Sequence, residues 1–199
     1  MRRIRQHGDA GQAFPIYITV VAGLLFLAFA YLAVGQAAAN RNGAQTAADA
    51  AALAAAQDTR DQLAGKWVEE VLDPTKWQDI FDGKLQLTDD PCARARQLAD
   101  RNDADLTACT PEGLLGYTVD VRTRQSVGDS IVPGTENKHS TASATAVIES
   151  LCTFKPPSED AGDDVLPRLT CRDGDWDLDP HHLTDLPRPE DLFDVHLAD

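Results

Sequence analysis

Positive charge is scarce in this chain. Its 199 residues hold 18 Lys+Arg against 32 Asp+Glu, a net charge of −14. That balance excludes the basic face with which nucleic-acid-binding proteins neutralise phosphates. Aromatics make up only 6% of residues and methionine occurs once, so bulky side chains can fill no more than a small core. None of the four cysteines stands at C-x-x-C spacing, which removes zinc ribbons and thioredoxin-like redox motifs. What the chain has instead is 29 alanines and 25 aspartates. The length suits one modest domain with appendages.

A mean hydropathy of −0.31 conceals one apolar segment. From Ala13 to Gly35, 23 residues carry no charge. As a helix they extend about 34 Å, enough to cross a hydrocarbon core of about 30 Å. Pro15 falls in the first turn, where its missing N–H costs little, and Tyr17 and Tyr31 sit near the two ends as interfacial aromatics do. Arg2, Arg3 and Arg5 precede the run against the single acid Asp9, whereas residues 36–199 carry −16. The positive-inside rule therefore predicts a cytoplasmic basic N-terminus over 1–12, a transmembrane helix over 13–35 and an exported remainder. A cleaved signal peptide is the competing reading, since Ala37–Ala39 offers an A-x-A site. Its apolar region normally spans about 7–15 residues, so the longer run here predicts a retained anchor.

The cysteines fit export, because all four lie beyond the apolar run and disulfides persist in oxidising compartments. Of the three possible connectivities, Cys92–Cys109 with Cys152–Cys171 closes short loops. Each is worth about 3 kcal/mol by loop entropy.

Beyond Gly35 the helical signal continues. Twelve of the 21 residues from 36 to 56 are alanine and no proline occurs before Pro74, which predicts one helix from about Pro15 to Ala64. Within its Ala-rich part, 36–64, the residues Ala44, Ala47, Ala48, Ala51 and Ala55 recur at helical spacing. They predict a close-packed face against another helix or the domain's own sheet; an exposed alanine spacer is the alternative. Residues 65–155 read as a small exported α+β domain. Helical pieces are expected at Lys66–Leu72, at Thr75–Phe81 and at Pro91–Asn102, with Trp67, Trp77, Ile80 and Phe81 as a small core rather than a ligand box. Alternation over Tyr117–Arg124 and the small, β-branched run Thr141–Glu149 predict two strands. Pro133-Gly134 marks a turn between them, so they should pair antiparallel. Residues 156–199 hold 6 of the 11 prolines and a net charge of −10, the composition of a disordered acidic tail apart from whatever Cys171 ties down. The fold class expected is α+β, with a long transmembrane helix, a disulfide-containing domain and that tail.

The order of N-terminal features carries a resemblance. A basic start is followed by Gly11-Gln12-Ala13, the apolar run, and Gln45-Thr46-Ala47-Ala48-Asp49-Ala50-Ala51-Ala52-Leu53-Ala54-Ala55. Over about residues 8–57 this resembles the TadG-like proteins of Flp (Tad) pilus-assembly systems, relatives of the TadE-type pseudopilins. Gly116–Thr123 and Ala142–Ala146 resemble the strand pair of such proteins. The resemblance implies a single-pass cell-membrane protein with a pilin-like helix and an extracellular domain on the bacterial surface. It implies contacts with the membrane and, through the N-terminal helix, with other pilus-assembly proteins. It implies no enzymatic activity, no cofactor and no small-molecule substrate. Type IV-like prepilins place glutamate five residues after the cleavage glycine. Here Ala13 follows Gly8 at that distance and Ile16 follows Gly11, so prepilin-peptidase processing is not expected.

Two stretches carry residues in patterns known from catalysis and metal binding. Gly128-Asp129-Ser130 echoes the nucleophile block of GDS-type esterases, with Ser130 as nucleophile and His182 as base oriented by Asp179. The serine falls in a hairpin connection and no oxyanion element accompanies it, so no catalytic residue is assigned. Asp173, Asp175, Asp177 and Asp179 alternate like the start of an EF-hand loop, but Leu178 and Thr184 occupy the positions that need Gly and Glu. No metal site is assigned. The favoured reading is a structural or assembly component; an exported membrane-anchored binding module unrelated to pili is the alternative, and an esterase the remote one.

Overall fold

The computed structural model describes residues 13–126, 137–156 and 165–198. Its dominant element is α1, Ala13–Glu69, a helix of 57 residues and about 85 Å. Alanine-rich sequence without an interior proline sustains it. The helix outruns its expected end because Leu63, Ala64 and Trp67 are buried. Lys66 also bridges Glu69 at 2.8 Å and Glu70 at 3.3 Å across the last turn. The helical piece expected at Lys66–Leu72 is thus mostly the end of α1. Two short helices follow, α2 (Trp77–Phe81) and α3 (Pro91–Arg101). The start of α3 is set by Asp90, whose carboxylate accepts the Cys92 N–H at 3.0 Å, with Pro91 in the first turn.

The main sheet is antiparallel and runs β1 (Ala104–Pro111), β2 (Gly116–Ser126), β3 (His139–Ser150) and β7 (Phe193–Leu197), in that spatial order. The expected strand pair is present, with Val119 opposite Ala144 and Tyr117 opposite Ala146. Its proposed turn at Pro133-Gly134 lies outside the described residues. On the inner face Val119, Val121, Ala144, Ala146 and Ile148 are buried, and α1 lies across β2 and β3 on that face while α3 packs beside it. A second small sheet joins β4 (Cys152–Phe154), β5 (Leu169–Cys171) and β6 (Gly174–Trp176). The disulfides are Cys92–Cys109, which ties α3 to β1, and Cys152–Cys171, which joins facing residues of β4 and β5.

The disordered tail expected over 156–199 is corrected. Among its described residues are β5, β6, α4 (Pro189–Leu192) and β7. Phe193, Val195 and Leu197 alternate with Asp194 and His196, so β7 buries an apolar edge while pairing its backbone with β3. Leu169, Leu192 and Phe193 are core residues. The acids face outward, where Arg168 meets Asp175 and Asp177 and Arg172 meets Glu149 and Asp194. Composition overstated the repulsion because the charges are segregated from these few apolar anchors.

Candidate membrane and assembly interface

Helix α1 changes environment along its length. Up to Val34 its large apolar side chains are bare, Phe14 and Tyr31 being 72% and 83% exposed. The apolar stretch is long and apolar enough to cross a membrane, and none of it is covered by the rest of the chain. From Ala44 onward one broad side of the helix is buried, while Gln45, Thr46, Gln57 and Asp61 stay exposed on the other. Ala44, Ala47, Ala48, Ala51 and Ala55 are all 0% exposed, and so are Ala52 and Ala56. The sequence-derived face is therefore buried against the chain's own strands, and Ala52, Ala54 and Ala56 extend it beyond the five residues read from periodicity. Periodicity missed these because α3 covers a second side of the helix.

Asn40 marks the transition. Its side-chain amide donates to the carbonyls of Gln125 and Ser126 at 3.1 and 3.2 Å and accepts from the Thr123 hydroxyl at 3.3 Å. Farther along, Gln45 donates to the Ser143 carbonyl at 3.4 Å, and the buried Thr59 hydroxyl meets the Tyr117 hydroxyl at 3.0 Å. Between Asn40 and Thr59 the helix advances about 28 Å, and β2 runs back about 27 Å from Gln125 to Tyr117. Strands and helix are thus nearly collinear. One end of the domain sits where the apolar segment leaves it and the other end lies far from it.

The far end is an aromatic and ionic cap. Trp67 packs at a tilt on Trp77 with ring centres 5.4 Å apart, Trp77 meets Phe154 edge-to-face at 5.2 Å, and Phe81 packs at a tilt on Phe193 at 5.6 Å. This is the small core expected from the tryptophans, completed by two phenylalanines from later strands. Gly83 adopts φ +72°, and a Cβ there would meet Leu115 at 2.6 Å, so the turn after α2 requires glycine. On the surface Glu70 receives Lys76 at 2.6 Å and Lys66 at 3.3 Å. Hydrogen bonds from Lys76 and then Lys66 hold its carboxyl below the ordinary value. Asp73 is lowered in the same way, chiefly by the Thr75 hydroxyl.

The chemical patterns end as structural contacts. His182 approaches Asp179 at 3.1 Å on the surface, while Ser130 lies outside the described residues. Asp175 and Asp177 bind Arg168 rather than converging in a loop. Glu149, Asp194 and His196 come within 4.8 Å of one another, a cluster that sequence reading missed because β3–β7 register creates it. Arg172 lies 3.2 Å from Glu149 and 3.7 Å from Asp194 and supplies the cation these carboxylates need. Arg2, Arg3 and Arg5 lie outside the described residues.

Residues 11–58 match the model of the Tad family, Flp pilus-assembly TadE/G-like. The match spans the exposed apolar stretch, the Asn40 junction and the alanine face, and it stops before the distal cap. The chain matches no curated protein and no solved structure.

Proposed function

We propose that this chain is a single-pass, non-enzymatic membrane component of a Flp/Tad-type pilus or related surface system. In this reading its N-terminus is cytoplasmic and its disulfide-bonded domain extracellular. One observation carries it: the Tad match covers a helix that is bare and apolar up to Val34 and locked into its own domain from Asn40 onward. The alanine face is consumed internally, so partner contacts fall to the bare stretch, where other membrane helices and lipid are the available neighbours. The test replaces residues 14–34 with polyleucine of equal length, which keeps anchoring and removes side-chain identity. After cross-linking in cells, recovery of pilus-assembly membrane proteins with the full chain should fall at least fivefold. Unchanged recovery would move the contacts off this helix.

A further inference from the structure

The geometry assigns a self-cleaving peptide bond to the turn Asp179–His182, where the Asp179 carboxylate severs its own link to Pro180. The event is a single turnover within one chain and is independent of the assembly reading. The sequence has three Asp-Pro bonds, at Asp73, Asp90 and Asp179. In each, the carboxylate can close a five-membered ring on its own carbonyl carbon. Proline supplies the leaving nitrogen, held in a tertiary amide.

At Asp179 the parts for that reaction stand together. Its carbonyl oxygen accepts the His182 N–H at 3.0 Å, which polarises the carbonyl and holds the oxyanion that attack creates. One carboxylate oxygen accepts the His181 N–H at 2.9 Å, and the other meets His182 Nδ1 at 3.1 Å. These contacts orient the nucleophile, and histidine becomes a proton donor in mild acid. The His181 N–H first, and then the His182 side chain, hold the Asp179 carboxyl below its ordinary value. Carboxylate and imidazolium therefore coexist there. Asp177, two residues earlier, is engaged by Arg168 at 3.3 Å. Asp179, His181 and His182 are exposed, so water reaches the bond.

The other two bonds share the turn and lack the acid. The Asp73 and Asp90 carbonyls accept N–H groups from Lys76 and Ala93 at 3.1 and 3.0 Å. Lys76 lies 3.5 Å from the Asp73 carboxylate, but Glu70 chiefly holds its ammonium above the ordinary value, which makes it a poor donor. Asp90 receives the Cys92 N–H, and Pro91 is buried in the first turn of α3.

Water is the only co-reactant. A carboxylate oxygen of Asp179 bonds to its own carbonyl carbon, the C–N bond to Pro180 breaks, and the nitrogen takes the His182 imidazolium proton. Water then opens the cyclic anhydride, giving the Asp179 side chain and a new C-terminal carboxylate, and a released proton restores the imidazolium. Pro180 becomes a secondary amine. The severed piece stays seated, because Leu192 and Phe193 are buried and β7 pairs with β3.

The test follows intact mass of the full chain in detergent micelles, denatured but not reduced before weighing. Cys171 is the last cysteine, so a fragment starting at Pro180 separates without reduction. It should form at least tenfold faster at about pH 5 than at about pH 7.5, with the other two Asp-Pro bonds intact. His182→Gln should slow it at least tenfold, and His181→Gln should not, since only the backbone of that residue is used. Asp179→Glu, which widens the ring, should stop it. Added hydroxylamine should be captured as a hydroxamate on Asp179, which direct attack by water would not produce. No fragment, equal cleavage at all three bonds, an unchanged rate in His182→Gln, or no hydroxamate would overturn the proposal.

Discussion

At the scale of single residues, the alanines decide how tightly the helix meets the sheet. Ala51 is 0% exposed, and at such a contact an added side chain has nowhere to go. Ala51→Leu should cost about 1–3 kcal/mol by overpacking, and Ala51→Glu more, because a buried carboxylate lacks a partner. Ala50, half-buried on the neighbouring face, should tolerate glutamate far better. Urea melts of the full chain in detergent, followed by tryptophan fluorescence, test this; equal effects at both positions would contradict the packing. Asn40→Ala removes two donated hydrogen bonds from the junction. It should lower stability by about 1 kcal/mol and speed exchange around Ser126, leaving the distal cap unaffected.

At the scale of elements, what was legible followed the strength of each pattern. Strand β2 shows alternation, β3 is a run of small and β-branched residues, and α1 has sustained helix propensity, so all three are legible in the sequence. Strand β1 is not, because its register shifts between Leu106 and Ala108 and the bulge breaks the period. The three residues each of β4, β5 and β6 are too short to show a period. Strand β7 did alternate, but lay inside an acidic, proline-rich stretch whose composition argued against order. The alanine face was legible as a face; whether it met a partner or its own sheet depended on long-range pairing that spacing cannot encode. Both disulfides staple elements whose own cores are thin. Replacing Cys152 and Cys171 with alanine should cost about 3 kcal/mol and loosen β4–β5 before the main sheet, as exchange would show. The distal ion pairs add a pH signature. Glu70 and Asp73 have carboxyls lowered below their ordinary 4.5 and 3.8. Their contribution is therefore present above those values and lost as pH falls through the lower folded ones. Exchange around residues 69–76, each rate taken relative to the amide's intrinsic rate at that pH, should be flat from about pH 5 to 8 and rise only below about pH 4. A rise near neutrality would show that these carboxylates do not hold the cap.

At the scale of the whole molecule, charge and the helix together predict an orientation. Three arginines stand in the short segment before the apolar stretch, and such a basic flank is expected to stay in the cytoplasm. Two disulfides in the domain lead us to expect that the same domain matures in an oxidising space. These inferences are independent, one resting on N-terminal charge and the other on cysteine pairing, and they select the same side. Alkaline phosphatase fused at the C-terminus should be active, and protease added to intact cells should remove the domain. Intact mass should retain residues 1–39, since the helix passes unbroken through Ala37–Ala39 into the Asn40 junction. Arg2, Arg3 and Arg5 changed together to glutamate should lower the protease-accessible fraction, because the charge bias is then removed without shortening the span. An inactive fusion with a protected domain would reverse the orientation, and a mature chain beginning near Asn40 would mean that the apolar stretch directs export without anchoring the protein.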